Sequence, residues 1–281
     1  MVKRAISNCT IIAFITALGF AKTSPLSITA HQTLLSIASH QPYNAIPEDS
    51  IDLPPPDIQQ QLVTHGPRDA ARIALTFDAD MNPYMKRLYD SHQVSSWYNK
   101  DIIDILNKTH TPATLFLSGM WIEMYPEATR ELAKDPLFDF GNHSYSHPSF
   151  DGKCYGLASL PDDQDAEEIT KTQDLLTEYT GRTNTFFRFP GGCYGEKDLE
   201  TVGDLGLEIV HWDVVAGDGF NPDAARIVHN VVSQTQNGSI IVMHMHGGPN
   251  APKTAEALPE IIATLKGKGF EFVKLSALLA P

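Results

Sequence analysis

From residue 72 onward, short apolar runs alternate with longer stretches in which apolar residues recur at helical spacing. Continuous apolar runs of four to six residues are typical of strands covered on both faces, and helices between such strands imply parallel pairing. The pattern predicts seven strands separated by six helices. The predicted strands are 73–77, 113–117, 137–140, 185–189, 207–212, 239–243 and 270–275; the predicted helices are 100–108, 126–134, 166–179, 198–205, 223–236 and 255–266.

Polar and titratable residues follow five of these predicted strands. Both closed β/α barrels and open parallel sheets place their sites at the carboxyl ends of the strands. The residues come from the first, third, fourth, fifth and sixth strands, and a closed barrel is the simpler geometry that brings all five together. We therefore expect a barrel.

The beginning of the chain has a different pattern. Lys3 and Arg4 precede an apolar run over 11–21, which is typical of a secretory signal peptide. The alternative is an uncleaved anchor, but the run is short of the ~20 residues that a spanning helix needs. We predict a signal peptide at 1–21, a proline-rich arm or linker at 22–67 and one domain at 68–281. Export to a secreted or periplasmic location follows, with no stable membrane insertion after cleavage.

Composition narrows the classes of protein. Hydrophobic residues make up 42% of the 281 residues and charged residues 20%, which excludes a disordered chain, a collagen repeat and a long coiled coil. The net charge of −13 argues against nucleic acid or an anionic membrane surface as the main partner. The oligomeric state is left open.

Two cysteines, Cys154 and Cys193, would remain after the signal peptide is removed together with Cys9. One disulfide and two unpaired buried thiols both fit an exported chain. Each cysteine follows a predicted strand onto the same face of the barrel, where a bridge between neighbouring loops is geometrically possible.

A metal site is indicated by His143 and His147, four residues apart after the third strand, with Asp78 after the first. Two imidazoles and one carboxylate suit a divalent metal and leave a position open for water, as catalysis requires. A pair of histidines satisfied by ordinary hydrogen bonds is the alternative. The position of His244 at a further strand end favours the metal.

Five ordered motifs over about residues 70–280 resemble the polysaccharide deacetylases, the NodB-homology domain of carbohydrate esterase family 4. They are Thr76-Phe77-Asp78, His143-Ser-Tyr-Ser-His147-Pro, Phe187-Arg188-Phe189-Pro190-Gly191, Trp212-Asp213 with Asp218, and Ile240-Ile-Val-Met-His244. The resemblance implies a distorted (β/α)7 barrel. It also implies roles: Asp78 as general base, His143 and His147 as metal ligands, Arg188 as the partner of Asp78, His244 as general acid, and Asp218 as the group that orients His244.

One position departs from the family pattern. The family usually has two adjacent aspartates and a glycine after Thr-Phe, and the second aspartate completes the metal site; here Ala79 and Asp80 stand at those positions. Asp80 could reach the metal, water could replace the lost ligand, or the site could be degenerate. We favour Asp80 as third ligand, and the other four motifs, which are intact, argue against a degenerate site.

The implied chemistry is hydrolysis of an acetamide. The expected cofactor is a divalent metal, most simply Zn²⁺, with Co²⁺ or Ni²⁺ as alternatives. Backbone N–H groups around Gly191 and Gly192 are expected to hold the oxyanion, and Tyr194 to contact substrate. Trp97, Tyr98, Trp121 and Tyr194 could each stack on sugar rings or simply pack.

Three further interpretations concern the surroundings. His246 is expected at the rim of the site, and Asp213 as a hydrogen-bonding group rather than a catalyst. The stretch 81–99 is longer than an ordinary strand-to-helix link and is interpreted as a loop that forms a lid or specificity element, with surface decoration as the alternative.

The leading functional hypothesis is a metal-dependent deacetylase acting on the N-acetyl groups of an amino-sugar glycan such as peptidoglycan or a chitin-like polymer. Hydrolysis of O-acetyl esters or non-sugar amides is an alternative within enzymes. A carbohydrate-binding protein with a degenerate site is the alternative from another class, motivated by Ala79.

Overall fold

The computed structural model describes residues 62–152 and 154–280. Within this part of the chain, parallel strands form one sheet. The strands are β1 (Leu62–Val63), β2 (Arg72–Ala79), β3 (Ala113–Leu117), β4 (Phe138–Asn142), β5 (Phe186–Phe187), β6 (Glu208–Val210), β7 (Val214–Val215), β8 (Ile240–His244) and β9 (Glu271–Phe272).

The sheet curls into a barrel. Its strand order is β1-β6-β5-β4-β3-β2-β8-β7, with β9 paired to the start of β2. β6 and β7 thus lie near opposite ends of the order, yet only the residues from His211 to Asp213 separate them. A flat sheet would hold these strands about 29 Å apart, whereas this link spans at most about 15 Å. The two ends must therefore meet, and the predicted β/α barrel is confirmed.

Side chains alternate between the two faces of the central strands. In β2, Ile73, Leu75, Phe77 and Ala79 belong to the apolar layer between sheet and helices, where all four are fully buried. Ala74, Thr76 and Asp78 occupy the alternate positions on the inner side of the barrel. In β8 the same alternation places Ile241 and Met243 in the outer layer.

Nine α-helices occur in the described residues. They are α1 (Pro83–Asp90), α2 (Lys100–Thr109), α3 (Gly119–Met124), α4 (Pro126–Lys134), α5 (Asp165–Thr180), α6 (Glu196–Asp204), α7 (Ala224–Gln234), α8 (Thr254–Gly267) and α9 (Leu275–Leu278). The six predicted helices correspond to α2 and α4–α8. None of the described helices is long and apolar enough to cross a membrane.

The interpretation of 81–99 as a loop is wrong. The segment contains α1, which begins where the Asn82 side chain accepts a hydrogen bond from the N–H of Met85 and where Pro83 opens the first turn. Met85 and Trp97 are buried in the main core. The insertion is therefore packed into the domain, and it is not mere surface decoration.

The predicted strand ends shift in three places. The fourth predicted strand is reduced to β5, the fifth is shortened to β6 and followed by the additional strand β7, and the seventh gives way to α9 at Leu275. β1 lies within the predicted arm and pairs in parallel with β6. The predicted signal peptide and the arm as far as residue 61 lie outside the described residues.

Candidate metal centre and active site

Asp80 lies one residue beyond the end of β2, and its side chain stays on the side of Asp78. Its Oδ1 is 3.5 Å from Nε2 of His143 and 3.4 Å from Nε2 of His147. One ligand atom from each of these three buried residues lies within 4.8 Å of the other two. Ala79 is fully buried in the outer apolar layer, on the face of β2 opposite to this cluster. The structure thus brings together the three residues expected to bind the metal.

The loop after β4 presents both histidines. Ser144 and His147 adopt positive φ angles of 60° and 54°, which non-glycine residues rarely do. Hydrogen bonds hold this conformation: Asn142 Oδ1 accepts from the N–H of Ser144 at 3.0 Å, and the carboxylate of Glu168 accepts from both N–H and Oγ of Ser146. These hydrogen bonds stabilise the loop conformation that presents both histidines.

The residues fit a divalent cation. His143 Nδ1 is 2.8 Å from the carbonyl oxygen of Arg188, which can only accept, so Nδ1 carries the proton and Nε2 offers its lone pair to the cluster. Asp80 Oδ1 is buried without a hydrogen-bond partner in the described part of the chain. Such an orphaned carboxylate oxygen facing two imidazole nitrogens is what a bound cation would satisfy.

Burial and charge act in opposite directions on these groups. Burial lowers the pKa of His147 to about 4 despite the nearby Asp80 carboxylate, which keeps the imidazole neutral, as a ligand must be. Burial alone would raise the pKa of Asp80, but the surrounding imidazoles, His147 and His246 foremost, hold it well below its ordinary value. Both groups are thus in their metal-binding protonation states near neutral pH.

Arg188 holds Asp78 from the opposite side. Its Nη1 donates to Asp78 Oδ1 at 2.7 Å and to Thr76 Oγ1 at 2.9 Å, and its other nitrogens donate to the carbonyls of Val210 and His211. The guanidinium is fully buried above the ring of Phe116 at 3.9 Å. The second oxygen of Asp78 lies 3.8 Å from Nε2 of His143, facing the cluster.

Asp218, which is buried, and His244, which is half-buried, form a second pair. Asp218 Oδ1 is 2.9 Å from His244 Nδ1, and its Oδ2 accepts from the backbone N–H of His244 at 2.8 Å and from Thr254 Oγ1 at 2.6 Å. Burial would lower the pKa of His244, but the Asp218 carboxylate outweighs it and raises that pKa to about 10. The imidazolium is therefore held ready as a proton donor. Nothing in the motif pattern pointed to Thr254.

The turn after β5 carries the glycines. Gly191 and Gly192 have φ angles of 64° and 73°, and Gly192 N–H donates to the Phe189 carbonyl at 3.0 Å. That N–H is therefore engaged within the turn, which leaves the expected oxyanion role to Gly191. A Cβ on Gly191 would lie 2.6 Å from Cys154 Sγ, so only glycine fits there.

A disulfide joins Cys154 to Cys193, with a Cα–Cα distance of 6.0 Å. It connects the loop that follows His143 and His147 to the glycine turn. Tyr194, the next residue, stacks on Phe189 with ring centroids 5.2 Å apart and meets the edge of His211 at 5.0 Å.

The structure also places four residues around the site. His246 is not a rim residue: it is 3% exposed and its Nε2 lies 3.1 Å from Asp80 Oδ2; its two-residue spacing from His244 on an extended segment could have indicated this. Trp97 and Trp121 are buried packing residues that donate to main-chain carbonyls. Asp213 has the expected hydrogen-bonding role, since it accepts from Arg68 and from the N–H of Ile240.

A cavity of about 370 Å³ opens beside His246. Tyr98 is one of its lining residues, together with parts of the segments 95–101 and 246–252. Two of the exposed large apolar side chains flank the site as well: Tyr155, next to the disulfide, and Phe220, two residues after Asp218. The surroundings thus offer both polar and aromatic contacts to a ligand.

Comparison with known proteins gives consistent matches. A sequence model described as polysaccharide deacetylase matches residues 65–210. A peptidoglycan-N-acetylglucosamine deacetylase of Bacillus cereus is 31% identical over 213 residues, which are 76% of this chain and 70% of the relative. The peptidoglycan-N-acetylmuramic acid deacetylase PdaA of Bacillus subtilis is 26% identical, with 85% of this chain and 87% of the relative covered.

Solved structures agree with these sequence matches. The crystal structure of a peptidoglycan N-acetylglucosamine deacetylase in complex with 4-naphthalen-1-yl-N-oxidanyl-benzamide superimposes with a TM-score of 0.67 at 29% identity. The match covers 79% of this chain and 94% of that chain. The fold similarity thus extends over most of both chains.

Proposed function

Because this chain belongs to the polysaccharide deacetylase family, a group of hydrolases acting on the amide bonds of acetylated sugars, we propose that it is an exported, metal-dependent enzyme. Its proposed substrate is an N-acetylated amino-sugar glycan of the cell wall, and the relatives named for peptidoglycan support this choice. The predicted signal peptide is consistent with a glycan outside the cytoplasm.

Asp80, His143 and His147 would hold the metal, most simply Zn²⁺, with Co²⁺ or Ni²⁺ as alternatives. The single observation that carries the proposal is the orphaned Oδ1 of Asp80 facing the two imidazole nitrogens. When bound there, such a cation supplies a Lewis acid that makes water more acidic and polarises a carbonyl oxygen.

Asp78 would act as general base. Arg188 occupies one of its carboxylate oxygens and leaves the other facing the cluster, 3.8 Å from His143. This arrangement orients the carboxylate towards the point where water would lose its proton. Arg188 thus positions Asp78 and has no separate chemical step.

His244 would act as general acid for the departing amine. Asp218 raises the pKa of His244 to about 10, after the opposing effect of burial, so the proton is present at neutral pH. The side chain is 27% exposed, so its ring remains accessible from the site. The N–H of Gly191 would donate to the tetrahedral oxyanion, with Tyr194 beside it as a substrate contact.

The test combines metal analysis with acetate release. The purified full chain should contain one divalent metal and release acetate, leaving free amines, from peptidoglycan or chitooligosaccharides. Acetylxylan distinguishes an O-acetyl esterase, because release from it alone would contradict the amide substrate. The His143→Ala/His147→Ala variant is the matched control and should lose metal and activity together. A metal-free wild-type chain that binds these glycans without acetate release would indicate a degenerate, carbohydrate-binding site.

A further inference from the structure

The two carboxylate oxygens of Asp80 have different surroundings. Oδ1 faces His143 and His147 and is buried without a hydrogen-bond partner among the described residues. Oδ2 lies 3.1 Å from Nε2 of His246. One oxygen is thus directed at the cation site, and the other is in contact with a histidine that none of the five motifs includes.

Asp80 has little support from its own strand. β2 ends at Ala79, and the paired positions with β3 and β8 end at Ala79 and Asp78. The backbone N–H of Asp80 points instead at Nε2 of His246, 3.2 Å away. Both contacts use the single Nε2, which either donates to Oδ2 or accepts from the N–H of Asp80. Each tautomer therefore joins His246 to Asp80, and the tautomer with the proton on Nε2 is the one that holds the carboxylate.

His246 is itself firmly placed. The N–H of Met245 donates to the carbonyl of Asp78 at 3.0 Å, which continues β8 beyond its last strand residue, and the N–H of Asn99 donates to the carbonyl of Met245 at 3.1 Å. Gly247 lies so close to the insertion that an added Cβ would be 2.9 Å from the carbonyl oxygen of Ser96. The extended continuation of β8 and the packed insertion therefore hold the backbone on both sides of His246.

We propose that His246 is a positioning residue for the metal ligand Asp80. It holds Oδ2, so that Oδ1 is presented to a cation together with His143 and His147. Asp80 stands one residue after the place of the family's usual ligand. Its carboxylate is thereby oriented by a residue on the continuation of β8 and not by its own strand. The proposal rests on the proposed metal site. Loss of such an outer hydrogen-bond partner typically lowers metal affinity 10–100-fold.

The experiment measures Zn²⁺ affinity by competition with a chromophoric chelator, and the d–d absorption spectrum of the Co²⁺ form, for the full chain. His246→Ala should weaken Zn²⁺ binding 10–100-fold while one ion still binds. His246→Gln, which keeps an N–H donor at similar reach, should restore most of the affinity. His229→Ala, at an exposed position on α7, should match wild type.

A double-mutant cycle with Asp80→Ala separates positioning from direct ligation. If His246 acts through Asp80, then Asp80→Ala/His246→Ala should bind Zn²⁺ no more weakly than Asp80→Ala alone. Additive losses, or a Gln variant as weak as the Ala variant, would show that His246 ligates the ion itself and would overturn the proposal. So would an affinity of His246→Ala within twofold of wild type. Unchanged affinity in Asp80→Ala and His143→Ala would instead refute the metal site.

Discussion

Asp78 and Asp80 point to the same side of the barrel but have different partners. Asp78 is bound by Arg188 at 2.7 Å, whereas Asp80 lies among the imidazoles of His143, His147 and His246. One carboxylate is thereby suited to take a proton, and the other to bind a cation. The two functions are separable by substitution.

Asp78→Asn should therefore reduce acetate release at least 100-fold while the protein keeps most of its metal, since the amide retains the shape but is a poor base. Asp80→Ala should reduce metal affinity at least as strongly as activity. Elemental analysis after dialysis, together with acetate release, checks both variants. Equal metal content in the Asp80 variant and wild type would contradict the assignment.

Ala79→Asp should not improve the site, although it supplies the family's usual residue. The side chain at this position faces the fully buried apolar layer, and an unpaired carboxylate there should cost about 3–5 kcal/mol of unfolding free energy. Urea unfolding measures this cost. Ala79→Leu, similar in size but uncharged, is the control for overpacking alone, at about 1–3 kcal/mol. Tighter metal binding by a stable Ala79→Asp chain would show that residue 79 reaches the site.

As the pH is raised, Asp218→Asn should lose activity at a lower pH than wild type does. Burial lowers the pKa of His244 and Asp218 raises it, to about 10 in total, so removal of the carboxylate leaves burial unopposed. The proton donor, present in wild type up to that pKa, should then be lost nearer neutrality. The alkaline limb of kcat/KM against pH measures the shift. Asp174→Asn, at an exposed position of α5, should leave the profile unchanged.

The same pair contributes to stability in a defined pH window. In the folded state the pKa of His244 lies above the ordinary 6.5. The contribution of the pair to the free energy of unfolding is therefore complete below about pH 6.5 and is lost as the pH rises towards about 10. The difference in unfolding free energy between wild type and Asp218→Asn should therefore shrink over that interval.

The disulfide should matter more to the site than to the fold. Its loss in Cys154→Ser/Cys193→Ser should cost about 2–4 kcal/mol, and the chain should stay folded at 25 °C. We expect kcat/KM to fall about tenfold or more, because the bridge ties the glycine turn to the loop after His147. Thiol counting in a Cys9→Ser background checks the bridge itself. Two free thiols in the denatured, unreduced chain would mean that no bridge exists.

Aromatic contacts with the glycan should come from Tyr155 and Phe220, which are 63% and 78% exposed. A Cβ on Gly191 would lie 3.2 Å from the Tyr155 ring, and one on Gly219, beside Phe220, 3.5 Å from the His244 ring. Replacement of either by Ala should raise KM for oligosaccharides about 3–10-fold with kcat unchanged, the effect of losing about 0.5–1.5 kcal/mol of uniform binding. Tyr84→Ala, 60% exposed on α1, is the matched control. Equal KM values for all three variants would exclude this role.

The apolar runs and the motif order were sufficient to predict the barrel, because strands buried on both faces leave a continuous signal in the sequence. α1 was missed although Asn82-Pro83 is a helix-start signature, since its eight residues carry a short apolar pattern. The position of Asp80 could not be read from local pattern, because it depends on whether a strand's alternation continues past its last paired residue. His246 was misplaced for the same reason at the end of β8.

The short link between β6 and β7 closes the barrel, and Arg188 donates to the carbonyls of Val210 and His211 on either side of its start. These carbonyls lie at the end of the neighbouring strand β6, whereas the bond from Arg188 to Asp78 crosses the barrel interior from the end of β5 to β2, with β4 and β3 between them in the sheet. In a flat sheet β5 and β2 would lie about 14 Å apart, so the orientation of the proposed base depends on the curvature of the sheet. A partly folded chain whose sheet is not yet curved would lack a correctly held Asp78, and hydrolytic activity would then report that the sheet has reached its native curvature.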